Sequence, residues 1–141
     1  MYLHKKGARR EYREQEGQRV KDSSNLSQTF PQLKSLTVDL NYDCPDDVLK
    51  NRRLKYAVNP SNAKSVFRFS CPNDECIRGD FDLTKELADA VAKRRTTITG
   101  EMLCRGWRSK TTIGTVHCPN GLRYKLSLAY SRLKARRKTA H

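Results

Sequence analysis

Long apolar runs are the first thing this sequence lacks. Nowhere in its 141 residues is there a stretch near the roughly 20 apolar residues of a membrane-spanning helix. Residues Met1 to Val20 hold no apolar run of the kind a signal peptide requires, so a cytoplasmic location is expected. Histidine is scarce, with only His4, His117 and His141. There is no glycine-rich phosphate loop, no Gly-x-Ser-x-Gly elbow, no His-Glu-x-x-His, and no His-x-Glu beside the cysteines. The sequence therefore predicts no enzyme and no small-molecule substrate. Carboxylates nearly vanish from the last third, where residues 100–141 carry Glu101 alone against ten Lys and Arg.

Positive charge is what the chain has in excess, at a formal +14. Residues 1–21 contribute +4, 22–65 contribute +1, 66–99 balance, and 100–141 contribute +9. A field so lopsided predicts a polyanionic partner, with RNA, DNA or a nucleoprotein complex the commonest in the cytosol. Apolar residues make up only 36 % of the chain, so the middle must carry the core while the ends stay solvated.

Three segments follow from this distribution. Residues 1–32 read as a basic flexible arm whose apolar residues are too dispersed for a helical stripe, although Lys5 to Val20 can turn helical on a protein partner. Residues 33–131 read as one α+β domain, and 132–141 as a basic C-terminal tail. Within the domain, Leu36, Val38, Leu40 and Tyr42 alternate with polar residues, as in a half-buried strand. Val48 to Tyr56 reads as a short helix, and Val66 to Cys71 as a second strand. Leu83, Leu87, Ala90 and Val91 form a helical stripe that Asp82 or Thr84 can cap. A strand is expected from Thr96 to Trp107, weakened by Gly100, then a loop or hairpin, then a strand from Leu122 to Tyr130. The expected fold is a small antiparallel sheet of about four strands with one packed helix and a structural zinc site.

The five cysteines, an odd number in a cytosolic chain, point to metal or packing before disulfides. Cys71 and Cys76 form a C-x4-C unit at a strand end, where a short loop closes two thiolates onto one metal at small entropic cost. Cys44, Cys71 and Cys118 are each followed by proline. From Cys71 to Gly121 the chain resembles zinc-ribbon modules, whose knuckles are often Cys-Pro. It departs from them in having no C-x2-C knuckle. The resemblance implies a second ligand pair in Cys104 and Cys118, which have thirteen residues between them and can meet at the base of a hairpin. Cys44 can stand in for Cys104, and His117 for Cys118. Four thiolates make a closed site that stabilises the fold and performs no chemistry.

Two basic surfaces are expected to meet phosphate. Arg105, Trp107, Arg108 and Lys110 interleave cations with the single tryptophan, which can stack on an unpaired base. Arg123 and Lys125 project from the polar face of the last strand, and Arg132, Lys134, Arg136, Arg137 and Lys138 continue the field. The expected function is that of a zinc-stabilised nucleic-acid-binding or ribonucleoprotein-associated accessory protein. The alternative is a protein–protein adaptor that docks its zinc module and arm on a larger complex.

Overall fold

The computed structural model describes residues 2–45, 47–73, 76–111 and 114–132. Its centre is set by two strands with clean alternation. In β1 (Leu33–Asp43), Leu36, Val38, Leu40 and Tyr42 are buried while the residues between them face outward. In β8 (Gly121–Tyr130), Leu122, Leu126 and Leu128 are buried. The two pair antiparallel, with Leu36 opposite Leu128, Val38 opposite Leu126 and Tyr42 opposite Leu122, so their apolar halves fall on one face. Strand β2 (Arg52–Val58) pairs with the free side of β1, and β5 (Thr97–Leu103) with that of β8. The result is a four-stranded antiparallel sheet of order β2-β1-β8-β5, in agreement with the expected α+β class.

Helix α3 (Thr84–Ala92) buries Leu87, Ala90 and Val91 in the same core as the sheet. Asp82 starts it, its Oδ1 accepting the Thr84 N–H at 2.9 Å. Each buried leucine of this layer stabilises the fold by roughly 1.5–3 kcal/mol. Gly100 has a packing role in β5. It lies opposite Tyr124, and a Cβ at this position would collide with that ring.

Several elements differ from expectation. Val48 to Tyr56 is not a helix: one 3-10 turn, Val48–Lys50, leads directly into β2. The strand expected at Val66 to Cys71 does not join the main sheet. It shortens to β3 (Arg68–Ser70) and pairs with β4 (Asp80–Asp82) in a separate ribbon. Trp107 begins a new strand instead of ending β5, and the hairpin is β6 (Trp107–Thr111) with β7 (Gly114–His117).

Ordered structure also starts before Leu33. Tyr2–Asp22 forms helix α1 and Leu26–Thr29 a short helix α2. Leu26 is fully buried, with its N–H donating to the Ala63 carbonyl at 2.8 Å. From residue 10 onward, α1 is half-buried only at Tyr12, Glu16 and Val20, a stripe of i, i+4 and i+8 spacing. Glu16 breaks this stripe with a charge and only Val20 in it is aliphatic, so apolar periodicity does not mark the helix.

Candidate metal centre

The cysteines gather at one end of the sheet. Cys71 follows β3 and Cys76 closes the turn, its N–H donating to the Asn73 carbonyl at 3.1 Å. Beyond it, Ile77 and Trp107 exchange backbone hydrogen bonds at 2.7 and 3.0 Å, tying the knuckle to the hairpin. Cys104 leaves β5 and donates its N–H to the Asn120 carbonyl at 2.9 Å, while the Cys118 N–H reaches the Gly106 carbonyl at 3.0 Å. Cys104 and Cys118 thus flank the base of the β6–β7 hairpin, the arrangement expected of them.

The sulfur atoms of Cys71, Cys76, Cys104 and Cys118 all lie within 4.8 Å of one another, and all four residues are buried. Cys76 and Cys104 are 3.5 Å apart, and Cys71 and Cys118 are 3.8 Å apart. The set can hold a metal ion. Two donors outside the set aim at it: the Gly106 N–H at Cys104 Sγ, 3.4 Å, and the buried Asn120 Nδ2 at Cys71 Sγ, 3.3 Å. Hydrogen bonds from Cys104 and Cys76 pull the Cys71 thiol well below its ordinary range, with Asn120 assisting. The contacts among the sulfurs push Cys76 and Cys104 up. Glycine is required beside the sulfurs, because a Cβ on Gly79 or Gly106 would strike Cys76 Sγ.

Cys44 and His117 stand outside this set. Cys44 is buried, and burial first, then the neighbouring Cys71 and Cys118 thiols, raise its pKa. His117 is exposed on β7.

Beside the knuckle runs a charge network that the sequence does not announce. Asp80 is fully buried, and its Oδ2 accepts from Tyr12 at 2.5 Å and from Arg68 Nε at 3.2 Å. Arg105 donates Nε and Nη2 to its Oδ1, at 3.1 and 2.9 Å. Glu16 sits 3.3 Å from Arg68 Nε, and Arg19 reaches Asp82 at 3.2 Å. These contacts dock α1 onto the β3–β4 ribbon. Burial, then the bond to Asp80, raises the Tyr12 pKa well above its ordinary value.

The residues expected to meet phosphate are dispersed. Arg105 is engaged by Asp80. Trp107 is half-buried, and its buried Nε1 has no hydrogen-bond partner among the described residues. Arg123 lies across from Asn41 and Glu101, and Lys125 across from Asp39 and Thr99, so the open sheet face interleaves both signs. Arg132 is exposed at the end of β8. The side chains of Arg108 and Lys110, and all of Lys134, Arg136, Arg137 and Lys138, lie outside the described residues.

A different cationic group forms at the end of the sheet remote from the thiols. The guanidinium of Arg94 lies 4.6 Å from the centre of the Tyr130 ring and donates to the Ser131 carbonyl at 3.3 Å. Tyr130 in turn donates to the Arg95 carbonyl at 2.7 Å. Lys34, beside Leu33 of the Leu33–Tyr130 pair, lies at the same end of the sheet. The run Lys93-Arg94-Arg95 follows α3 and leads into β5, and the β5–β8 register, with Thr97 opposite Ser127, brings it beside the end of β8.

No protein-family model, no curated protein and no solved structure matches this chain. Among the described residues, no helix is long and apolar enough to cross a membrane.

Proposed function

We propose that the chain is a zinc-stabilised, non-catalytic nucleic-acid-binding accessory protein that acts in the cytoplasm. The metal part rests on the buried four-thiol set. Its 3.5 and 3.8 Å sulfur separations are close to the about 3.8 Å edge of a tetrahedron whose zinc–sulfur bonds are about 2.3 Å. Four thiolates leave no coordination position for water or substrate, so zinc here would hold the β3–β4 turn and the hairpin base together. A short-turn pair and a hairpin-flanking pair support the zinc-ribbon likeness as part of this reading, although the C-x4-C turn is longer than the usual C-x2-C knuckle.

The observation that carries the binding part is the meeting of Arg94 and the Arg95 backbone with Tyr130 and Ser131 at the far end of β8, next to the exposed Arg132 that opens the basic tail. β8 has ten residues, which puts this group about 30 Å from the thiols. Zinc therefore serves binding by fixing the fold rather than by touching the ligand. Contacts of this kind go to phosphate and carry little sequence preference.

Two measurements test the reading. Metal analysis of native protein should give one zinc per chain, and a single-stranded oligonucleotide should bind with an affinity that falls steeply as salt rises. Zinc near zero, or binding indifferent to salt, overturns the corresponding half.

A further inference from the structure

Exposed apolar side chains are concentrated in one place. Among the described residues, Val48, Leu49, Leu54, Tyr56 and Leu103 are the large hydrophobics left exposed, and all but Leu103 fall within nine residues of one another. Leu54 and Tyr56 sit opposite Leu40 and Val38, which are fully buried. They therefore belong to the face that carries the core, yet the core stops short of them: they are 37 % and 42 % exposed. Every residue from Arg52 to Ala57 is exposed.

Among the described strands, β2 is also an edge, paired on one side only. An edge strand presents a row of backbone donors and acceptors to any extended chain that arrives. From Val48 to Val58 there are four cations, Lys50, Arg52, Arg53 and Lys55, and no carboxylate. Asp39 offsets part of this by pairing with Arg53 at 2.7 Å. A second copy pairing through β2 would set these cations against one another, which is unfavourable. A cleft of about 420 Å³ at the start of the strand, lined by Leu49, Lys50, Arg52, Ser70, Cys71 and Pro72, adds room for a further side chain.

We propose that β2 is a strand-addition edge that accepts an extended segment of a partner protein in which carboxylates alternate with apolar residues. Added as a fifth strand, such a segment matches the edge in all three of its properties. Its backbone satisfies the open hydrogen-bonding row. Its apolar residues fall over Leu54 and Tyr56, and its carboxylates fall on the opposite face over Arg53 and Lys55. A nucleic acid would meet the cations but leave the backbone row and Leu54 uncovered. The inference does not depend on the polyanion reading, which rests on the opposite end of β8.

The test uses the metal-loaded full chain, labelled with nitrogen-15. The probe is an acetylated, amidated octapeptide, Ser-Glu-Val-Glu-Ile-Glu-Val-Ser. Its addition should shift the amides of residues 52–58 and slow their hydrogen exchange. The same peptide with lysine in place of glutamate should leave them unmoved. Leu54→Ser and Lys55→Glu each alter an exposed side chain and should weaken binding at least fivefold, with the other amide shifts unchanged. No shift of the β2 amides at millimolar probe, or shifts that map elsewhere, overturns the proposal. So does displacement of the probe from β2 by a single-stranded oligonucleotide, which would make the edge a phosphate surface. A concentration-dependent dimer that shifts the same amides without probe overturns it in favour of a second copy.

Discussion

Arg105 donates two hydrogen bonds to one oxygen of Asp80, although the aspartate is fully buried and the arginine is 63 % exposed. The pairing removes Arg105 from the cations free to meet a phosphate. It also places a carboxylate where the sequence suggests only positive charge.

Arg105→Ala should therefore leave oligonucleotide affinity within about twofold. Its stability cost should be about 1 kcal/mol or less, because solvent screens the exposed partner. Arg94→Ala with Arg132→Ala should behave in the opposite way. Removing these two phosphate-binding cations should flatten the slope of log affinity against log salt by about 1.4 on a single strand, about 0.7 for each. Anisotropy titrations at several salt concentrations separate the two outcomes. Equal weakening in both variants would return Arg105 to the binding surface.

Asp80→Ala should be the more damaging change at this network, by about 2–3 kcal/mol, since Arg68 and Tyr12 lose the oxygen they share. Denaturant unfolding measures the effect. Limited proteolysis should show α1 released first, because Tyr12 is one of its principal anchors.

Cysteine substitutions should divide four against one. Serine at Cys71, Cys76, Cys104 or Cys118 should lower bound zinc and destabilise the hairpin end, whereas Cys44→Ser should retain one metal per chain. Gly79→Ala and Gly106→Ala should weaken metal binding about 10- to 100-fold with every thiol still present, because each new methyl group meets Cys76 Sγ. Competition with a chromogenic chelator reads both series. An unchanged affinity in the glycine variants would mean that the sulfurs relax away without cost.

Alkaline pH should loosen α1. Burial and the bond to Asp80 hold the Tyr12 pKa above its ordinary value of 10, so the docked state binds the phenolic proton more tightly than the undocked one. The docking stability is full below pH about 10 and declines as pH rises beyond it. Hydrogen exchange of the α1 amides should accelerate over that range relative to the rest of the chain. Tyr12→Phe should flatten this dependence while weakening the docking at neutral pH by about 1–2 kcal/mol.

The parts of the fold legible in the sequence are those with a buried face set against an exposed one. β1 and β8 alternate, and α3 carries a stripe at helical spacing, because each has one side in the core. β2 lacks that contrast. It is exposed on both faces, so Leu54 and Tyr56 between arginines and lysine read as easily as helix. Helix α1 is hidden for another reason, since Tyr12, Glu16 and Arg19 dock it by polar contacts, two of them to residues more than sixty positions away. The metal set is legible in its C-x4-C half from spacing alone. Its other half, Cys104 and Cys118, depends on the hairpin between them, which brings together what the sequence separates. The partner of Arg105 lies 25 residues earlier, and no local pattern indicates it.

The position of β8 in the sheet has a consequence for how the protein is made. β8 is the last described strand, yet it separates β1 from β5, and neither of those pairs with the other. The sheet cannot close until β8 has left the ribosome. Cys118, by contrast, precedes Gly121, so all four thiols have been synthesised while the central strand is still missing. Until β8 is in place, the edges of β1 and β5 that it covers are unpaired and open to wrong partners.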